Sequence, residues 1–175
     1  PTTTAFVVAS KTFTTQETMA NANSAVSWLS AGLGLDRESV VASRVFAVSS
    51  NVTAAGKFGV PPEHVLPMWD WVGGRFSLGS AIGFSLMCMI GEANFRAMLG
   101  GMRAVDEHFV GAPLESNVPV LMAVIEVLNR NGFAYTSRAV IPYLQQLSRF
   151  PAYLQQLEME SNGKSISKNG VPLSI

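Results

Sequence analysis

Ala5-Phe6-Val7-Val8-Ala9-Ser10-Lys11-Thr12-Phe13-Thr14-Thr15-Gln16-Glu17 turns from apolar to hydroxyl-rich to helix-forming within a few residues, and its reading decides the fold. Residues 5–9 are an apolar stretch that reads as a short buried strand. From Thr15 to about Ala31 the spacing predicts a helix. Thr14 and Glu17 stand at capping-box spacing, and Gly32 and Gly34 close it. The outcome is a strand, a loop and a helix in that order.

The same alternation continues outward. Residues 45–49 read as a second buried strand, residues 51–58 as a short helix ending at Gly59, and Pro61-Pro62 as a turn before a brief strand at residues 65–68. Residues 80–90 and 92–109 read as helices parted at Gly91, and residues 117–129 as a third ending near Gly132. Residues 138–143 are a strand candidate, residues 150–161 a helix starting near Pro151, and Asn162-Gly163 a tight turn. The tail, residues 166–173, reads as a hairpin or a disordered end. Strands alternating with helices predict an α/β layered fold, with a mainly parallel sheet flanked by helices, over a single domain of residues 1–175.

Composition narrows the function classes. Twelve basic and twelve acidic residues cancel and are scattered, so neither a nucleic acid nor an anionic membrane is expected as partner. The longest apolar run, residues 81–90, is well short of the ~20 residues that span a bilayer. The single cysteine, Cys88, has no disulfide or metal-ligand partner in sequence, which favours a reducing compartment and makes the cytoplasm the expected location. No metal and no cofactor is expected.

Two loops carry chemistry. Residues 10–15 hold four hydroxyls and one ammonium between a strand end and a helix start, where backbone N–H groups and the helix dipole favour an anion. Without the glycines of a nucleotide loop, this suits a small phosphate ester better than a triphosphate. An ordinary hydroxyl-rich turn with an N-cap has the same composition. Trp69-Asp70-Trp71-Val72-Gly73-Gly74-Arg75-Phe76-Ser77 puts a guanidinium behind two glycines that let the backbone bend or approach a ligand. Its alternative is a salt bridge to Asp70 stacked on a tryptophan.

The stretch Asp-Trp-Val-Gly-Gly-Arg-Phe-Ser-Leu-Gly-Ser-Ala-Ile-Gly at residues 70–83 resembles a signature segment of the glucose-6-phosphate isomerase family. Residues 9–18 are similar to that family's phosphate loop. Phe150-Pro151-Ala152-Tyr153, with Gln155-Gln156 and Met159-Glu160-Ser161-Asn162-Gly163-Lys164, resembles the segment bearing its catalytic glutamate. The three motifs stand in the family's order.

The resemblance implies an aldose-ketose isomerase that interconverts glucose 6-phosphate and fructose 6-phosphate through a cis-enediol, in glycolysis and gluconeogenesis. It implies Glu160 as the base, where the residue alone is most simply a solvated carboxylate near a helix end, and Arg75 as the stabiliser of the enediolate. Ser10, Lys11, Thr12, Thr15, Gly74 and Gln156 would bind substrate. Gln156 and Glu160, four apart, would share a helix face. The family is much longer, and its site also uses a histidine from a partner subunit and a lysine near the C-terminus. His64 and His108 lie outside the histidine motif and read as structural. The chain is thus expected to be part of a longer, homodimeric enzyme and inactive alone; the alternative is a non-catalytic phosphosugar-binding module. Many members carry His-Ala-x-x-Pro-Tyr-Asp-Gln where this chain has Arg138-Ala139-Val140-Ile141-Pro142-Tyr143-Leu144-Gln145.

Overall fold

A computed structural model describes residues 1–160 and 162–173, with Glu160 described by its backbone alone. The chain divides into two compact units, Pro1–Glu92 and Ala93–Ile175.

The first unit is built on a parallel sheet of three strands, β1 (Phe6–Ala9), β2 (Val45–Ser49) and β3 (Val65–Pro67), ordered β1-β2-β3. Val8 lies beside Ala47, and Val48 beside Leu66. Central strands of parallel sheets are covered on both faces, and β2 conforms: Val45, Ala47, Val48 and Ser49 are each 0% exposed. Three helices flank the sheet: α1 (Gln16–Leu33), α2 (Arg37–Arg44) and α3 (Val52–Phe58). In α1, Ala22, Val26 and Leu29 recur at helical spacing and form one buried stripe, with Met19 and Leu33 at its ends. The expected α/β class, with a parallel sheet flanked by helices, is the observed one.

Several boundaries differ from the sequence reading, each for a physical reason. α1 runs to Leu33 and ends at Gly34, whose φ of 66° gives the left-handed turn that releases the chain. Its N-cap is Thr15, whose side chain makes no capping hydrogen bond to the helix, and Thr14 Oγ1 bonds to Thr12 Oγ1 at 2.8 Å, so the expected capping box does not form. α2 was not anticipated. The Asp36 carboxylate caps it by accepting from the Ser39 N–H at 2.8 Å, and Val40 and Val41 seat it in the core. Residues 80–90 are not one helix: 3-10 turns at Ser77–Gly79 and Ala81–Gly83 precede α4 (Phe84–Ile90), with glycines punctuating each step.

The second unit is helical. Gly91, at φ 84°, separates α4 from α5 (Glu92–Gly111), which leads through a 3-10 turn to α6 (Val118–Val127) and a π-helical turn, Leu128–Gly132. Asn117, 2% exposed, joins α5 to α6. Its Oδ1 accepts from the Val120 N–H at 3.3 Å, and its Nδ2 donates to the Phe109 and Ala112 carbonyls at 2.8 and 3.4 Å. His108 contributes to the same joint, its Nε2 accepting from the Val118 N–H at 3.0 Å.

Residues 138–143 form no strand, because no neighbouring strand pairs with them among the described residues. Their β-branched residues satisfied a propensity that needs a sheet to act on. The predicted helix over residues 150–161 begins as α7 (Phe150–Leu154) and continues as a π-helical segment, Gln155–Glu160. Its expected last residue, Ser161, lies outside the described residues. The tail makes the hairpin: Ile166 bridges Pro172 antiparallel, with Gly170 at φ 75° in the turn.

Candidate functional site

The carboxyl ends of parallel strands are where open α/β sheets place their ligands. Each strand of the first unit ends in a polar segment there. β1 runs into residues 10–15, β2 into Ser49-Ser50-Asn51, and β3 into the loop that carries Arg75.

The 10–15 loop is anchored from within. Phe13 is 4% exposed at φ 55°, a conformation that non-glycine residues seldom adopt. Its ring meets Phe58 edge-on at 5.8 Å, while its N–H donates to Ser10 Oγ at 3.1 Å. Burying the ring holds the backbone in this shape and turns the flanking hydroxyls together. Ser10 Oγ and Thr15 Oγ1 lie 3.1 Å apart. The loop's hydroxyls pair with one another, so no side chain caps α1, and the dipole and N–H groups of its first turn act beside those hydroxyls.

β2 secures the loop from the side. The Lys11 carbonyl accepts from Ser49 Oγ at 3.0 Å, from Ser50 Oγ at 2.7 Å and from the Ser50 N–H at 3.0 Å. Asn51 Nδ2 donates to the Thr12 carbonyl at 3.1 Å. The role of residues 49–51 was missed in the sequence, although a polar run directly after a buried strand was the available signal.

Lys11 also reaches the third strand end: Nζ donates to the Asp70 carbonyl at 2.5 Å and to the Val72 carbonyl at 3.1 Å. The loop it meets is a chain of tight turns, closed by Val72 N–H to the Trp69 carbonyl at 3.0 Å and Phe76 N–H to the Gly73 carbonyl at 3.1 Å. Arg75 sits half-buried among these turns. Neither Gly73 nor Gly74 has positive φ, so these turns do not use the left-handed conformation that favours glycine. A Cβ on Gly74 would meet nothing within 4 Å, so the packing of the described residues does not itself demand glycine there. Ser10, Lys11, Thr12, Thr15, Gly74 and Arg75 therefore all belong to the carboxyl edge of one sheet.

Gln156 and Glu160 belong to the second unit, on the π-helical segment. Gln156 is exposed, and the side chain of Glu160 lies outside what is described. Arg138 holds this segment to α6: Nη1 donates to Glu126 Oε1 at 2.5 Å, and Nη2 bonds to Glu158. The hydrogen bond that the guanidinium donates to Glu158, reinforced by the charge of Glu126, raises the Arg138 pKa above its already high ordinary value. After the segment the chain folds back tightly, and a Cβ on Gly163 would stand 2.1 Å from the Met159 carbonyl oxygen, so only glycine fits.

The two histidines sit in structural contacts: His64 stacks on Phe46 at 4.3 Å, and His108 belongs to the α5–α6 joint. No described helix is long and apolar enough to cross a membrane.

Residues 1–175 match the family model described as phosphoglucose isomerase. The chain is 54% identical over 170 residues to a glucose-6-phosphate isomerase of Corynebacterium diphtheriae, covering 97% of this chain and 31% of that protein. It is 55% identical over 168 residues to one from Methylocella silvestris, covering 96% of this chain and 30% of the relative. Among solved structures, a glucose-6-phosphate isomerase from Chlamydia trachomatis superposes with a TM-score of 0.81 at 37% identity, over 97% of this chain and 32% of the other. The chain thus spans about a third of the length of such relatives, and it belongs to the phosphoglucose isomerase family.

Proposed function

We propose that the chain is part of an aldose-ketose isomerase interconverting glucose 6-phosphate and fructose 6-phosphate. The observation that carries this reading is the convergence of the hydroxyl loop and the Arg75 loop at one sheet edge, in a chain of this family. The phosphate is held by the hydroxyls of Ser10, Thr12 and Thr15 and by the first-turn N–H groups of α1, with Lys11 in the same loop. Hydroxyls and a helix terminus suit a dianionic ester without a large local excess of positive charge.

Glu160 is the base. It removes the proton from the carbon beside the carbonyl and returns it to the neighbouring carbon, so the carbonyl and hydroxyl exchange places through a cis-enediol. The two electrons stay within the sugar, and the reaction needs no external oxidant or cofactor. Arg75 stabilises the negative charge that develops on the enediolate, where a preorganised cation has its largest effect. Gln156 orients substrate oxygens, and Gly74 leaves room beside the guanidinium. The full-length enzyme acts as a cytoplasmic homodimer in glycolysis and gluconeogenesis, its partner being the phosphosugar.

A coupled assay of fructose 6-phosphate turnover tests this in the full-length polypeptide. Glu160→Gln is expected to lower kcat by about 10²- to 10⁴-fold, the range of a general base; near-normal turnover would remove Glu160 from the chemistry. The share of its relatives that the chain spans favours a second reading for the isolated chain, as a phosphosugar binder without turnover. Titration with fructose 6-phosphate alongside the assay separates the two.

A further inference from the structure

Lys11 is fixed at both ends. Its main-chain carbonyl takes donors from Ser49 and Ser50 at the end of β2, and its ammonium donates to two carbonyls of the loop after β3. An ammonium has three N–H donors and no acceptor, so two of the three are already committed. Turning that ammonium towards a bound phosphate would take the donor from the Asp70 and Val72 carbonyls, and the second of these, part-buried at Val72, is costly to leave unpaired. Those two acceptors sit immediately before Gly73-Gly74-Arg75. The stem therefore spans from the phosphate loop to the base of the arginine loop.

We propose that Lys11 is a positioning residue: its ammonium, seated on the Asp70 and Val72 carbonyls, sets the loop that aims Arg75, and the phosphate is held by other groups of the 10–15 segment. This rests on the reading of Arg75 as the group that stabilises the enediolate. A point charge on a flexible stem suits two carbonyls spaced this way, whereas a planar guanidinium presents its donors in a fixed fork. Lys11→Arg is therefore expected to restore only part of the function lost in Lys11→Met.

The test is kinetic, in the full-length isomerase, on Lys11→Met, Lys11→Arg, Arg75→Met and the double variant Lys11→Met/Arg75→Met. Inorganic phosphate serves as the competitive probe of the phosphate site. Lys11→Met is expected to lower kcat by about 10- to 100-fold, the scale of a misplacement near 1 Å, with KM and the phosphate inhibition constant nearly unchanged. The double variant is expected to be no slower than Arg75→Met alone, because the two residues act as one unit.

An ammonium that grips phosphate would instead raise KM and the phosphate inhibition constant together while sparing kcat, and that result overturns the proposal. Multiplying losses in the double variant would overturn it as well. Unaltered kcat in Arg75→Met would overthrow the role of Arg75 itself. Hydrogen exchange of residues 69–77 then decides the strut separately: faster exchange in Lys11→Met upholds it and unchanged exchange removes it. If Lys11→Met fails to fold, Lys11→Arg carries the same kinetic comparison.

Discussion

β2 and α6 have similar apolar sequences and opposite fates. Val45, Ala47 and Val48 are 0% exposed, whereas Val118, Met122, Val124, Ile125 and Val127 are 55–63% exposed. β2 is covered by α1, α2 and α3, all close to it in sequence, so the first unit closes its own core. α6 is apolar around its circumference, the pattern of a helix made for the interior of a larger body. In relatives about three times as long, most of the chain available to cover such a helix lies outside these residues. Apolar sequence thus sets the demand for burial, and the neighbourhood along the chain decides whether that demand is met locally.

The largest expected effect bears directly on that contrast. Leu29→Ala in the isolated chain should destabilise the first unit by about 2–5 kcal/mol, because a 0%-exposed side chain leaves a cavity. Ile125→Ala in α6 should cost less than about 1 kcal/mol there and several times more in the full-length protein. Urea unfolding of both variants in both lengths measures this, and equal costs in the isolated chain would erase the contrast.

Asn117→Ala should come next. It removes a 2%-exposed side chain that bonds the Val120 N–H and two carbonyls at the end of α5, at a cost of about 1–3 kcal/mol. Hydrogen exchange across α5 and α6 reads it, and an unchanged pattern would mean the joint is held by something else. Arg138→Gln should matter less, by under about 1 kcal/mol, since the bridges to Glu126 and Glu158 are partly in water. Its loss should appear as faster exchange in residues 155–160 rather than as global unfolding, and a large drop in thermal midpoint would contradict that.

The smallest effect is a titration at the N-terminus of α2. The Ser39 N–H, and then its hydroxyl, hold the Asp36 carboxyl below its ordinary pKa of 3.8. A depressed folded pKa means the charged cap stabilises fully above the ordinary carboxylate range and loses that contribution as pH falls through the depressed value. Asp36→Asn should therefore lower the urea midpoint slightly at pH 7, with the gap narrowing towards pH 2. A gap constant with pH would show that the carboxylate charge contributes nothing.

What was legible in sequence followed from contacts close along the chain. The passage from Ala5 to Thr15 announced strand, loop and helix because burial, hydroxyl chemistry and helical spacing follow one another there. α2 was readable in principle from Asp36 and Ser39, but Arg37–Arg44 is short and polar, and its hold on the core comes from Val40 and Val41 joining the cluster built by α1 and β2. The Lys11 ammonium was legible as a cation and not as a strut, since its acceptors lie some 60 residues away. Residues 138–143 misled for the converse reason: the propensity was present and no partner strand stands beside them among the described residues.

The left-handed, buried Phe13 bears on the thermodynamics of ligand capture. A loop that must be ordered when its ligand arrives subtracts that ordering cost from affinity. Here the ordering of residues 10–15 is charged to the folding of the first unit, through a ring locked against Phe58. On the proposed reading, an arriving phosphate would meet a loop that is ordered beforehand, and little of the strength of its contacts would go to ordering it.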